Sequence, residues 1–142
     1  MATYTGTTQI YDSWLAAIAK GSNIALDTVK VALVTSAYTP NLATHDQISD
    51  ITNECSGNGY ARQTLANVSF NVSGGVAKFL ADSFAFTASG GSIVARRYVI
   101  WNDTTGDLIC TGLIDSGNND VTITDGNALT VNVPAGGLFT LG

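Results

Sequence analysis

The residues of this chain that could do chemistry are few, and the clearest pair is His45 followed by Asp46. A metal site would need further His or Cys ligands beside the only histidine. A hydrolase triad would need a serine in a Gly-x-Ser-x-Gly setting, which the chain lacks. The pair is therefore predicted to lie in an exposed turn or at the start of a helix.

Two further patterns only partly match ligand-binding loops. Gly57-x-Gly59 has Arg62 where a dinucleotide-binding loop has its third glycine, and it precedes a predicted strand rather than a helix. Asp115, Asp120 and Asp125 are spaced by five residues, without the alternate-residue ligands of a calcium loop. These acids are predicted to lie in hairpin turns. The sequence thus predicts no catalytic residues, no cofactor and no metal, and we expect the protein not to be an enzyme.

The cysteines, Cys55 and Cys110, are predicted to be reduced thiols rather than a disulfide, because the N-terminus shows no basic or apolar stretch of a signal peptide. Cys110 lies in a strand-like run and is expected to pack in the core. Cys55 lies in a predicted loop with no cation before Arg62 to lower its pKa. Neither thiol is predicted to be catalytic.

Arg96 and Arg97 are the unusual polar residues, because they interrupt an apolar strand-like run over residues 93–101. Adjacent strand residues face opposite sides, so each arginine should join one apolar set. The sets are Ile93, Ala95, Val99 and Trp101 on one face, and Val94, Tyr98 and Ile100 on the other. At least one guanidinium is expected at a subunit interface or buried with a carboxylate. The alternative is an arginine at a strand edge that extends to water. Both are candidate subunit-contact residues.

The elements that must position these residues are mainly strands. From Asn67 to Leu141, eight stretches alternate between apolar and polar residues at the period of half-buried strands, separated by Gly, Asn and Asp turns. The stretches are 68–72, 76–80, 83–87, 93–101, 108–114, 121–124, 128–133 and 138–141. The expected fold is mainly β, an antiparallel β-sandwich or jelly-roll-like domain.

The first third of the chain adds one amphipathic helix, predicted over residues 9–19, with Ile10, Trp14 and Ile18 on its apolar face. Lys20 and Gly21 would end it. The stripe is expected to pack on the sheet, although docking on a partner is the alternative. The remaining predicted elements are a strand over 28–35, a turn over 38–41, a short helix or ordered loop over 44–51 capped by Thr44, a tight turn over 56–60, and a strand from Arg62.

Length and composition set the class of protein. The 142 residues are predicted to form a single domain, with an N-terminal arm and helix over 1–27 and a β-domain over 28–142. Charged residues make up only 12% of the chain, about half the usual share of roughly 25%. Such a neutral surface suits a protein that buries area against copies or partners. With a net charge of −5 and no cluster of basic residues, nucleic acid and anionic membranes are not expected partners.

Three segments together resemble a group of small tailed-bacteriophage virion proteins. They are the strand and turn Val31-Ala-Leu-Val-Thr-Ser-Ala-Tyr-Thr-Pro40 followed by His45-Asp46, the turn Ser56-Gly-Asn-Gly-Tyr60, and the strand Ile93–Trp101. The resemblance covers residues 28 to 141. Members of that group are structural, capsid decoration (cement), or head- or tail-fibre components. The resemblance therefore implies a virion protein.

The expected function is that of a capsid decoration protein, a homotrimer that is assembled in the host cytoplasm and binds the major capsid protein on the outer surface of the shell. The alternative is a fibre or adaptor module that contacts a host receptor, with Tyr38, Tyr60, Tyr98 and Trp101 as an aromatic platform. Core packing is the competing expectation for Trp101.

Overall fold

A computed structural model describes residues 2–4, 8–19 and 27–141, with side chains from residue 8 onward. Of the described residues, strands account for 41% and helices for 9%, and most strands form antiparallel sheets. A helix is present near the N-terminus. The predicted fold class, mainly antiparallel β with an N-terminal helix, is confirmed.

The helical elements are α1 (Asp12–Ala19) and a 3₁₀ turn (Ile48–Asp50). The strands in chain order are β1 (Ala2–Tyr4), β2 (Thr8–Ile10), β3 (Val29–Val34), β4 (Gln63–Thr64), β5 (Ser69–Ser73), β6 (Val76–Leu80), β7 (Phe84–Thr87), β8 (Ile93–Ala95), β9 (Arg97–Asn102), β10 (Leu108–Leu113), β11 (Val121–Ile123), β12 (Ala128–Val131) and β13 (Thr140–Leu141). Each of the predicted strand stretches overlaps at least one of these strands.

The central sheet has five strands in the order β2-β10-β9-β3-β4. Its middle strand β9 pairs antiparallel with β3 on one side and β10 on the other, so that Tyr98 stands opposite both Leu33 and Gly112. Three smaller sheets, β1-β12-β7, β13-β6-β5 and β11-β8, complete the described fold. β1 runs parallel to β12. The first strand, β1, therefore shares a sheet with β12 and β7, whereas the last strand, β13, pairs with β6 in another sheet.

One face of the central sheet packs into the main core, which contains residues from all four sheets and from α1. Its largest fully buried side chains include Trp14, Phe79, Phe86, Tyr98 and Leu129. Aromatic rings in this core also pack edge to face. The ring centroids of Phe84 and Tyr98, for example, lie 6.1 Å apart with an interplanar angle of 75°. Layers of sheet around one shared core are the sandwich-like arrangement that the strand pattern predicts.

The opposite face of the central sheet is also buried, in a second core formed by Tyr11, Ala32, Val34, Tyr38, Val99, Trp101 and Leu108. Three side chains outside the regular strands cover it, namely Leu42, Ile48 and Ile51. The predicted period of two is therefore wrong for β9 and β10, which bury nearly every position, as β3 also does. Strands covered on both sides have continuous apolar runs instead of alternation.

Helix α1 begins at Asp12, three residues later than the predicted start at residue 9. The reason is that residues 8–10 form strand β2, which pairs with β10 over a long sequence separation. Trp14 is buried in the main core, where its ring meets Phe70 and Phe139 edge-on, and Ile10 and Ile18 pack against the same core. The predicted packing of this stripe within the domain is confirmed. Lys20 and Gly21, the predicted end of the helix, lie outside the described residues.

The predicted Thr44 cap is wrong. Thr44 lies in a turn, and its backbone N–H donates to the carbonyl oxygen and to the side-chain Oδ1 of Asn41. The Asn41 Oδ1 also accepts from the N–H of Ala43. The 3₁₀ turn begins only at Ile48, with Gln47 preceding it. Asn41 is the better acceptor here because its short amide reaches backbone donors two and three residues ahead.

Candidate functional site

The two candidate arginines lie where the chain passes from β8 to the central sheet, and Arg97 is the first residue of β9. Arg96 belongs to neither strand, but its backbone stays bonded on both sides. Its N–H donates to the Val34 carbonyl at 2.9 Å, and its carbonyl accepts from the Ile114 N–H at 3.0 Å. The arginine pair therefore stands on backbone that is fixed to two neighbouring segments.

This change of sheets overturns the predicted grouping of side chains by face. Ile93 and Ala95 share the main core with Tyr98 and Ile100, not with Val99 and Trp101. The reason is that Arg96 and Arg97 together occupy one position of the alternation, as in a β-bulge. Neither arginine is therefore driven into an apolar core, and both side chains are half-buried at the surface.

Arg96 is held by its own chain. Its Nε donates to Asp120 Oδ1 at 2.8 Å, and its terminal nitrogen Nη1 donates to Asn118 Oδ1 at 3.3 Å. The Arg96 side chain is 23% exposed and that of Asp120 is 43% exposed, so solvent screens the pair. The contact fixes the loop over residues 115–120, in which Asn118 adopts a positive φ of 60°. Arg96 thus has a carboxylate partner within its own chain, in a surface pair rather than a buried one.

Arg97 has no carboxylate within ion-pair distance in the described part of the chain. Its one described hydrogen bond runs from Nη1 to the Gln9 side-chain oxygen at 3.4 Å. Both arginines line an open cleft of about 210 Å³. Its other lining residues are Ser36, Tyr38, Thr39, Pro40 and Asn118. Sequence reasoning did not predict that the 36–40 turn would meet the 115–120 loop, because only the long-range pairing of β3, β9 and β10 brings them together.

A hydrogen-bonded chain supports the cleft from beneath. The buried Tyr11 hydroxyl lies 2.8 Å from the Tyr38 hydroxyl, which lies 3.0 Å from His45 Nδ1. The rings of Tyr38 and His45 stack at 5.7 Å. Burial raises the pKa of Tyr38, while its hydrogen bond to Tyr11 and the charge of Arg97 oppose that rise. The phenol therefore stays neutral, and Arg97 is the cation of the cleft that remains open to a partner.

A second polar cluster lies beside the Ser56–Tyr60 turn and serves the fold. Glu54 accepts from Arg62 Nη2 at 2.8 Å, from Arg62 Nε at 2.9 Å, and from the Tyr60 hydroxyl at 2.7 Å. The same hydroxyl accepts the Leu33 N–H at 3.1 Å. The Arg62 guanidinium lies 4.9 Å from the ring centre of Trp101. This network closes one edge of the central sheet and leaves no unpaired charge.

The aromatic platform considered for receptor binding is not formed. Tyr98 and Trp101 are fully buried, and Tyr38 is only 3% exposed. Tyr60 is half-buried and stacks on Phe86 at 5.9 Å. The four rings point into two different cores, so they present no common face to a ligand.

The other predicted candidates have local roles. His45 lies at the end of a turn, as predicted, but its stacking on Tyr38 leaves it half-buried. Of the evenly spaced acids, Asp115 accepts the Gly117 N–H, Asp120 pairs with Arg96, and Asp125 accepts the Gly90 N–H. Within the described ranges, no group of three or more His, Cys, Asp or Glu is placed to hold a metal ion.

Both cysteines are free and buried. Cys110 is fully buried in the main core, as predicted, and burial raises the pKa of its thiol. Cys55 donates to the Val94 carbonyl at 3.3 Å. Burial, together with the neighbouring Glu54 charge, raises the pKa of Cys55 to about 11. Both groups are therefore thiols, not thiolates, at neutral pH.

Comparison of the chain with family models, with curated proteins and with solved structures found no match. Among the described helices, none has the length and apolar character needed to cross a membrane.

Proposed function

We propose that this chain is a structural protein of a tailed-bacteriophage virion, a decoration protein that binds the outer surface of the capsid shell as a homotrimer. The proposal begins from the resemblance of three segments to such virion proteins. The observation that carries it is where those segments lie in the fold.

The three resembling segments meet at the centre of the structure. Strand β3 pairs with β9 along its whole length, and the Tyr60 hydroxyl of the glycine turn binds the Leu33 backbone. The Pro40 end of the first segment and Arg97 of the third line the same cleft. The three resembling segments therefore form both the central scaffold and one surface site, as expected if the resemblance reflects a structural role.

The surface chemistry supports a role in which the protein buries surface against neighbouring subunits. The chain carries few charges, and the described cations other than Arg97 and Lys78 are paired with carboxylates. A rigid β scaffold of this kind stabilises a shell by burying surface across subunit joints. Anything that binds the assembled state alone shifts the equilibrium toward it.

The test compares virions with and without the protein. Particles that lack it are expected to assemble and package DNA, but to release their genome at a lower temperature and at low ionic strength. Adsorption to cells is expected to be unchanged. Quantification in purified virions should give hundreds of copies, as a decorated shell requires.

The opposite pattern would contradict the proposal. Particles that hold their DNA as well as wild type, contain tens of copies or fewer, and no longer adsorb would identify a fibre or adaptor module instead. Restoring the purified protein to deficient particles is the matched control, because decoration should recover heat resistance without new assembly.

A further inference from the structure

The unpaired charge of Arg97 is the starting point. Lys30, Arg62 and Arg96 each bind a carboxylate of the chain at 2.8 to 2.9 Å. Arg97 has only the neutral Gln9 amide at 3.4 Å. A half-buried guanidinium has lost part of its hydration, so a carboxylate that completes its hydrogen bonds gains more than an exposed pair would.

The cleft around Arg97 has the size and lining for one acidic side chain. Its volume of about 210 Å³ is smaller than the roughly 300 Å³ at which drug-sized ligand sites begin. Ser36, Thr39 and Asn118 add hydroxyl and amide donors around the guanidinium. A sugar would need an exposed ring to stack on, and the ring of Tyr38 is covered. A polyanion would need more cations than one free arginine.

The chain itself presents a matching acid. Asp12 is exposed, and its carboxylate has no hydrogen bond or ion pair within the described residues. It lies on the side of the molecule that carries the 38–42 loop, since its N–H donates to the Leu42 carbonyl at 3.0 Å. The neighbouring Tyr11 binds Tyr38, which lines the cleft. These hydrogen bonds tie the start of α1 to the loop beside the cleft, so an unpartnered anion and an unpartnered cation belong to linked parts of the fold.

We infer that Arg97 of one copy binds the Asp12 carboxylate of a neighbouring copy. The inference rests on the proposed function, in that it takes the working form to be an oligomer. In a closed symmetric ring the same contact repeats at every joint, so one pair of residues joins every copy. Arg96 acts as a positioning residue, because it holds Asn118 and the wall of the cleft through Asp120.

The experiment measures self-association of the purified protein without virions, by sedimentation equilibrium at low salt. The variants are Arg97→Asp, Asp12→Arg and the double exchange Arg97→Asp with Asp12→Arg. Each single variant is expected to raise the dissociation constant on the order of tenfold or more. The double exchange is expected to restore it to within a few-fold of wild type. Lys78→Asp, which changes the net charge as Arg97→Asp does at a distant half-buried cation, is the matched control and should have no effect.

Three results would overturn the inference. Wild type could be monomeric at tens of micromolar, Arg97→Asp could associate as tightly as Lys78→Asp, or the double exchange could fail to restore association although both single variants weaken it. Thermal melting of each variant verifies folding, and Arg97→Gln repeats the test without introducing an acid. Particle stability is measured separately. If the protein stabilises particles but the Arg97 and Asp12 variants associate normally, the inference fails and the proposed function stands. If the protein does not stabilise particles, the proposed function fails.

Discussion

At the scale of single residues, the Glu54 carboxylate is a half-buried charge that its neighbours hold in place. Burial alone would raise the pKa of Glu54, but the hydrogen bonds from Arg62 and Tyr60 and the arginine charge outweigh burial and hold that pKa below its usual value. The sequence showed Glu54 and Arg62 eight residues apart, with no periodicity to join them. Their contact follows from the pairing of β3 with β4 and from the turn between them.

The Glu54 network predicts a pH dependence of stability. Because the folded pKa of Glu54 lies below its unfolded value of about 4.3, its ionised form stabilises the fold above that pH, and the contribution is lost as pH falls through the folded pKa. Glu54→Gln is therefore expected to lower Tm at pH 7, and its difference from wild type should shrink as pH falls below about 4.3. Circular dichroism melts from pH 7 to pH 3 measure this difference.

The partner variant is expected to show the same pH dependence. In Arg62→Gln no guanidinium offsets the burial of Glu54. The ionised Glu54 carboxylate therefore destabilises the fold more than the protonated carboxyl group does. The Tm deficit of Arg62→Gln should therefore be largest at pH 7 and should shrink as Glu54 takes up its proton. A deficit independent of pH in both variants would show that the ion pair contributes nothing.

The two thiols make a second prediction at this scale. Because burial raises the pKa of both cysteines, native protein at pH 8 should resist iodoacetamide and react only after unfolding. Cys110→Ser places a hydroxyl in the apolar core and should cost about 1–3 kcal/mol of unfolding free energy. Cys55→Ser should cost less, because its hydroxyl can donate to the Val94 carbonyl. Labelling by mass spectrometry and urea melts check both. A Cys55–Cys110 disulfide in native protein would contradict the prediction.

At the scale of elements, helix α1 makes a direct comparison of buried and exposed side chains. Trp14 is 1% exposed between Phe70 and Phe139, whereas the adjacent Leu15 is 41% exposed. Trp14→Ala is therefore expected to cost about 3–5 kcal/mol, because it leaves a large cavity. Leu15→Ala, on the same helix, should cost less than about 1 kcal/mol.

Chemical denaturation of the two α1 variants measures these costs. An unchanged midpoint for Trp14→Ala, together with loss of particle binding, would mean that the helix docks on a partner instead of its own domain.

Local pattern predicted the strands better than it predicted their environment. The β5–β6 hairpin was recognisable because Gly74 and Gly75 supply the positive φ values, 59° and 79°, that a two-residue hairpin turn needs. The burial of both faces of β3 and β9 was missed, although their continuous apolar runs were a signal for it. The sheet change at Arg96 had no local signal, because it depends on which distant strand each half pairs with.

The candidate site was likewise predicted only in part. Arg96 and Arg97 were identified from their apolar neighbours, which is a property of the sequence alone. Which of the two stays unpaired could not be predicted, since Asp120 lies 24 residues from Arg96 along the chain. The cleft itself is made by two turns that touch only after the central sheet forms.

At the scale of the whole molecule, the small number of charged residues and the modest negative net charge both favour association between copies. With a net charge of −5 and only 12% charged residues, copies repel one another weakly and few ions need to be desolvated when surfaces meet. The polar but neutral surface of Thr, Ser, Asn and Gly therefore permits contacts through modest areas of surface. Specificity must then come from a few placed charges, and the described chain offers Arg97 for that role.

The last prediction follows from linkage between folding and assembly. If the protein is a homotrimer whose copies bind only when folded, Tm must rise with protein concentration, because association removes folded monomer from the unfolding equilibrium. We expect a measurable rise in Tm between about 1 and 100 μM for wild type, and a smaller rise for Arg97→Gln over the same range. Scanning calorimetry with light scattering at each concentration measures both. A Tm that does not change over a hundredfold range, with a monomeric mass throughout, would contradict the trimer and confine stabilisation to the single chain.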